Sequence, residues 1–151
     1  MGLILFSIRK LRSIVMADKK KILMIDDDTN LVNVIKTVFE VKGYEFYGAY
    51  SATEGLERIK EVEPDLIILD VIMEDFVAGF RVVSELRTGD KNSAFSAYSK
   101  VPILMLTSVT SKTRLNFGER IGTALLPVDA FLEKPVKPAE LLSKVESILK
   151  K

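Results

Sequence analysis

Acidic residues stand at the ends of two short apolar runs. Lys21-Ile22-Leu23-Met24-Ile25 leads into Asp26-Asp27-Asp28, and Pro64-Asp65 opens the run Leu66-Ile67-Ile68-Leu69, which leads into Asp70. Runs this short, bounded by breakers and helical patterns, read as strands buried on both faces. In an open parallel α/β sheet, ligands bind at the carboxyl ends of the strands, so Asp70 is the first candidate for a working residue. If the two strands are neighbours, at least three carboxylates meet at one edge, and such a cluster repels itself unless a cation or a proton neutralises it. Two further apolar runs end in different chemistry: Val101 to Leu106 is followed by the hydroxyls of Thr107-Ser108, and Ala130-Phe131-Leu132 by Glu133-Lys134-Pro135. Histidine and cysteine are absent, which removes disulfides, thiol chemistry, the usual zinc sites and any histidine acid or base. Phosphoryl or metal chemistry here must use oxygen ligands.

The elements between these runs supply the positioning. Leu31, Val34, Ile35, Val38 and Phe39 form an apolar helical stripe, which Asp28 or Thr29 can cap and Gly43 can end in the left-handed region. Tyr44 to Tyr50 is rich in aromatics and reads as a second strand. Ser51-Ala52-Thr53-Glu54 is a capping box, and Leu56, Ile59 and Val62 carry its helix as far as Pro64. Gly79, Phe80, Val83 and Leu86 predict a third helix that runs out by about Thr88, and Thr88 to Lys100, polar and without a period, reads as an exposed loop. Leu115, Phe117, Ile121 and Leu125 support a short fourth helix interrupted by Gly118 and Gly122 and ended by Pro127. Pro138 opens the last helix, with Leu141, Leu142, Val145, Ile148 and Leu149 on its apolar face. Five βα units with right-handed crossovers predict a flavodoxin-like (βα)5 doubly wound α/β fold with a parallel sheet of order 2-1-3-4-5. The switch point of that order lies between strands one and three, the strands that end in Asp26-Asp27 and in Asp70.

A length of 151 residues suits one domain, and a net charge of +1 gives no overall pull toward nucleic acid or a membrane. Near the start, Leu3-Ile4-Leu5-Phe6 is too brief to span a bilayer, and Arg9, Lys10 and Arg12 follow it rather than precede it, so neither a secretory signal nor a membrane span is expected. Met16-Ala17-Asp18 looks like a natural start. Residues 1–18 therefore read as an N-terminal extension and 19–151 as the domain, in a cytoplasmic protein. The alternative for the extension is a short amphipathic segment that docks on a partner or a membrane surface.

The segments KILMIDDD, PDLIILD, PILMLTS and DAFLEKPVKPAELL, spaced by whole structural units from about Lys20 to Lys150, resemble the receiver domain of two-component response regulators. Because the chain ends at Lys151, the resemblance is to the stand-alone, single-domain type. It implies that Asp70 is the phosphoacceptor, forming an acyl phosphate. It also implies that Asp27, Asp70 and the backbone carbonyl of Ile72 hold Mg2+, with Asp26 reaching the ion through water, a ligand set that suits this metal. Thr107 would donate its hydroxyl to one phosphoryl oxygen and Lys134 would pair with another, surrounding the developing charge. Lys134-Pro135 is similar to the family's cis peptide, which would aim the ammonium inward. Thr107 and Phe131 would form the switch that reshapes the output face. The implied donor is a histidine kinase or a histidine phosphotransfer protein, and the output passes through protein contacts with a downstream partner. No direct contact with nucleic acid is implied. The domain would assist its own phosphotransfer and dephosphorylation without being an enzyme in the ordinary sense, and a phosphorelay intermediate is a variant of the same reading.

Several residues depart from the family pattern. Glu74 replaces a proline, Gly79 comes one residue late, and the segments Thr88 to Lys100 and Val109 to Val128 are longer than typical, so the loop near the metal and the output face are expected to differ. Ile72 and Val109 are apolar where polar side chains orient a hydrolytic water, which predicts a long-lived phosphoryl group. Individually, Asp28 and Thr107 can be helix caps, Lys134 a solvated charge and Phe131 a core residue; the joint pattern favours the site. Two rival readings are a haloacid-dehalogenase-type phosphohydrolase and a non-signalling adaptor of the same fold. The first wants D-x-D-x-T, whereas Thr29 comes one place early, and beyond Lys134 only Glu140 and Glu146 remain as its later acidic motif. A flavin or nucleotide module lacks its glycine-rich phosphate loop.

Overall fold

Apolar runs that end in polar residues become five parallel strands. The computed structural model describes residues 19–71, 73, 78–108 and 127–150. The strands are β1 (Lys21–Ile25), β2 (Glu45–Ala49), β3 (Leu66–Asp70), β4 (Ile103–Thr107) and β5 (Ala130–Glu133), in the order β2-β1-β3-β4-β5, as predicted. Every residue of β3 and of β4 is buried, which is why both read as unbroken hydrophobic runs rather than as alternating ones.

Successive side chains of a strand point to opposite faces, and the core divides accordingly. Leu23, Ile25, Ile67, Leu69, Ile103 and Met105 pack with α2 (Ala52–Val62) and α3 (Ala78–Leu86). On the other face, Ile22, Met24, Leu66, Ile68, Leu104 and Leu106 pack with α1 (Thr29–Val41) and α4 (Pro138–Leu149). Phe39 of α1 lies with its ring centroid 5.5 Å from that of Tyr44 and 5.4 Å from that of Phe46, joining the helix to the start of β2.

The helix ends follow their capping signals. Asp28 accepts the N–H of Leu31 at 3.1 Å, Gly43 takes φ +92° after α1, and Pro138 occupies the first turn of α4. At α2, Ser51 accepts the N–H of Glu54 at 3.1 Å, while the Glu54 carboxylate takes the N–H of Tyr50 at 3.2 Å, one residue earlier than a standard capping box. In α1 the buried residues are Val32, Ile35 and Phe39, whereas Val34 is 52% exposed. The apolar residues of this helix span more arc than one sheet face covers, and Val34 falls on the solvent side.

The stretch Thr88 to Lys100, expected to be a plain exposed loop, is tied down. It carries a 3₁₀ turn at Ser96–Tyr98, and Phe95 and Tyr98 pack against the core. Arg87, at the end of α3, donates from Nε to the carbonyl of Pro127 at 3.1 Å, from Nη1 to that of Ser99 at 2.6 Å and from Nη2 to that of Val101 at 2.7 Å. Burial pulls the Arg87 pKa down, against the opposing pull of Asp129, whose carboxylate lies 3.6 Å away. A guanidinium with five donors can organise a loop that has no hydrophobic period to announce it. The short helix expected around Leu115 to Leu125, the start at Met16 and the extension 1–18 lie outside the described residues. Among the described residues, no helix is long and apolar enough to cross a membrane.

Candidate functional site

Strand register brings the polar strand ends to one level. Ile25 pairs with Leu69, so the next residues, Asp26 and Asp70, leave two adjacent strands side by side. Asp70 pairs with Leu106, which places Thr107 one step further on, and Thr107 pairs with Glu133. The ladder then continues past β5, where the N–H of Lys134 donates to the carbonyl of Thr107 at 2.7 Å. The Lys134–Pro135 peptide is cis.

Asp26, Asp70 and Thr107 are the buried polar residues of the described chain. Buried carboxylates need partners, and both have them. The ammonium of Lys134 lies 2.8 Å from Oδ2 of Asp26 and 3.4 Å from Oδ2 of Asp70. The N–H of Asp28 donates to Oδ1 of Asp26 at 2.9 Å, so Asp28 caps α1 with its side chain and holds Asp26 with its main chain. Burial lowers the pKa of Lys134, but its hydrogen bond to Asp26 and the charges of Asp26 and Asp70 outweigh this, and the net shift is upward from 10.5. Asp27 is exposed at the rim, and Asp26, Asp27 and Asp70 each offer an oxygen within 4.8 Å of the others.

Among the described residues, three carboxylates face one ammonium at this edge, which leaves surplus negative charge, and all of the donors are hard oxygens. A divalent cation of the Mg2+ type fits that donor set and that charge. Among the described residues this is the one acidic group with such geometry. Glu140 and Glu146 lie within α4 and do not join it, which removes the acidic motif a haloacid-dehalogenase site would require.

The expected residues Asp26, Asp27, Asp70 and Lys134 are brought together, and Thr107 ends the adjoining strand. Phe131 is half-buried in β5 and packs against the core shared with α2 and α3. Ile72, Glu74 and Val109 lie outside the described residues. Two residues carry more than the sequence suggested. Arg87 is the loop anchor described above. Gly79, read as a helix opener, donates its N–H to the carbonyl of Val71 at 3.1 Å and packs directly on the backbone that leaves Asp70. A glycine in the first turn of an amphipathic helix was the available signal, since helices otherwise disfavour it.

A family model described as the response regulator receiver domain matches residues 22–146. A probable transcriptional regulator, ycf27, of Porphyridium aerugineum is 32% identical over 133 residues, covering 88% of this chain and 49% of that protein. The DNA-binding response regulator MtrA of Mycobacterium tuberculosis is 30% identical over 133 residues, covering 88% of this chain and 52% of its own length. The chain thus spans about half the length of the curated relatives it matches. Among solved structures, a CheY-like response regulator receiver domain protein from Methanospirillum hungatei superposes with a TM-score of 0.70 at 28% identity, covering 88% of this chain and 95% of that one. A two-component response regulator from Clostridium difficile gives a TM-score of 0.69 at 27% identity, covering 88% and 98%.

Proposed function

Since this chain belongs to the response regulator receiver family, we propose that it is a phosphorylation-controlled signalling module in which Asp70 accepts a phosphoryl group from a histidine kinase or a histidine phosphotransfer protein. The observation that carries this assignment is the placement of the Lys134 ammonium 2.8 Å from Asp26 and 3.4 Å from Asp70, with Asp27 beside them.

The Asp70 carboxylate attacks phosphorus as the phosphorus–nitrogen bond of the donor breaks, giving an acyl phosphate and returning the imidazole to its free form. Lys134 shifts its contact from the carboxylate to a phosphoryl oxygen, and the Thr107 hydroxyl donates to another. Asp26 and Asp27, with Asp70 and the Ile72 carbonyl, would hold Mg2+, Asp26 through water. When bound, the ion would supply charge neutralisation for the carboxylates and the transferred group. Asp26 stays oriented throughout by the Asp28 N–H at 2.9 Å. The chain assists its own phosphorylation and dephosphorylation and acts as a phosphoacceptor rather than as an enzyme in the ordinary sense.

The acyl phosphate carries about 1.5 to 2 negative charges where the carboxylate carried one, along with three strong acceptor oxygens, enough to bias a two-state surface. We assign Thr107 and Phe131 as the switch, Phe131 turning inward as the Thr107 hydroxyl follows the phosphate. Output passes through protein contacts. A net charge of +1 supports no nucleic-acid contact by this domain itself, and the relatives named as DNA-binding or transcriptional regulators are about twice its length. Residues 19–151 form the receiver domain, 1–18 an extension, and the setting is cytoplasmic. Apolar Ile72 and Val109 favour a long-lived phosphoryl group, which Ile72→Asn would shorten.

The test is intact mass after incubation with Mg2+ and a small-molecule phosphodonor such as acetyl phosphate. A single phosphoryl adduct that Asp70→Asn abolishes is expected. Rapid turnover of phosphate esters would favour a hydrolase, no adduct would favour an adaptor, and either would overturn the assignment.

A further inference from the structure

Gly79 is a costly choice where it stands. It is buried in the first turn of α3, where alanine would form the better helix, so something other than helix stability must require it. Steric contact supplies the reason. A Cβ at residue 79 would come within 2.5 Å of the carbonyl oxygen of Asp70, 2.7 Å of Cα of Val71 and 2.8 Å of the Val71 carbonyl oxygen. These three atoms are main chain, and they belong to the peptides that leave the β3 terminus. They cannot swing aside as the end of a flexible side chain can.

We propose that Gly79 is a positioning residue for phosphoryl acceptance: the absence of its side chain lets α3 seat on the Asp70–Val71 backbone and fixes the course from which the Asp70 carboxylate faces Lys134 and Asp26. The contact is two-sided. The Gly79 N–H donates to the Val71 carbonyl at 3.1 Å, and the Val71 N–H donates to the Leu106 carbonyl at 3.0 Å, so these two peptides are held between helix and sheet. Asp70 is thereby aimed by contacts on both sides of its own strand end. Relief of a 2.5 Å contact to an ordinary van der Waals separation requires the backbone to move by about 1 Å, and a misplacement of that size at a reacting group costs on the order of 100-fold in rate.

This inference rests on Asp70 being the phosphoacceptor, and the experiment separates the two. Wild type, Gly79→Ala and Gly48→Ala are compared for the initial rate of phosphoryl uptake from acetyl phosphate, for Mg2+ affinity and for the urea midpoint. Gly48→Ala is the control, because a Cβ there meets a side chain, Cγ1 of Val32 at 2.8 Å, on the strand farthest from β5. The expected result is uptake slowed about 10- to 100-fold and Mg2+ affinity weakened in Gly79→Ala, with the rate of Gly48→Ala within about twofold of wild type even where its midpoint falls as far. Equal rates in Gly79→Ala and wild type, or an equal slowing in the control, would overturn the inference alone. No adduct on wild type would overturn it together with the assignment of Asp70. Should Gly79→Ala fail to fold, the wild-type amide spectrum decides: the Gly79 N–H resonance is expected to move with the same Mg2+ midpoint as that of Asp70, and an unmoved resonance refutes the coupling.

Discussion

Replacing Lys134 with methionine keeps the stem of the side chain and deletes the cation paired with Asp26 and Asp70. At an effective dielectric of about 20, an ammonium 2.8 Å from one carboxylate oxygen and 3.4 Å from another gains about 6 and 5 kcal/mol of Coulomb energy. Burial of the ammonium takes back much of this. Loss of one partner of a buried pair costs about 3–5 kcal/mol, and because the Lys134 side chain remains 19% exposed, the expected loss for Lys134→Met is about 2–4 kcal/mol. With a urea m-value of about 2 kcal/mol/M, the unfolding midpoint falls by about 1–2 M. Binding of Mg2+ moves the other way. A doubly charged ion among these carboxylates is repelled by the ammonium beside them, so Mg2+ is expected to bind the variant more tightly than wild type. The pH dependence has a definite sign. The pKa of Lys134 is raised in the folded state, so its stabilisation is fully present below the ordinary lysine value of 10.5 and is lost as pH rises through the higher folded value. The midpoint difference between wild type and variant should be flat from about pH 7 to 9 and close only in strong alkali. Urea titrations across that range, with and without Mg2+, measure all three quantities. A midpoint within about 0.2 M of wild type, or weaker Mg2+ binding, would refute the ion-pair account.

Three further outcomes follow from contacts elsewhere in the chain. Asp28→Ala should lower stability by about 1 kcal/mol through loss of the α1 cap, yet leave phosphoryl uptake near wild type, because Asp28 holds Asp26 by its backbone N–H; chemical denaturation and intact mass test the two halves. Arg87→Met should release the carbonyls of Pro127, Ser99 and Val101, cost about 2–4 kcal/mol, and raise hydrogen exchange selectively between Ser96 and Val101. Phe39→Ala should cost about 3–5 kcal/mol in thermal or urea unfolding, since its ring is fully buried against Tyr44 and Phe46.

Strand content and order were readable because each buried strand is a short apolar run that stops at a functional group, and because βα alternation leaves few topologies. The acidic edge was readable for the same reason: Asp26, Asp27 and Asp70 sit where runs end, and parallel register does the rest. What escaped detection rests on relations that lie outside hydrophobic period. Arg87 is one basic residue among many until its carbonyl partners, from 12 to 40 positions away, are seen around it. Gly79 announces itself as a helix opener, but the backbone that requires its bareness belongs to another element. The rotation of α1 that exposes Val34 escaped because apolar valines on either side of the seam are indistinguishable by periodicity alone.

The main-chain bond from Lys134 to Thr107 also bears on how such a protein tolerates change. The two residues are stitched together at 2.7 Å, although the polymer between them is more than twenty residues long. Whatever that intervening length encodes, its two ends are moored to the same spot. Sequence changes placed between Ser108 and Pro127, ahead of β5, are therefore expected to leave both anchors paired and the geometry at Lys134 intact.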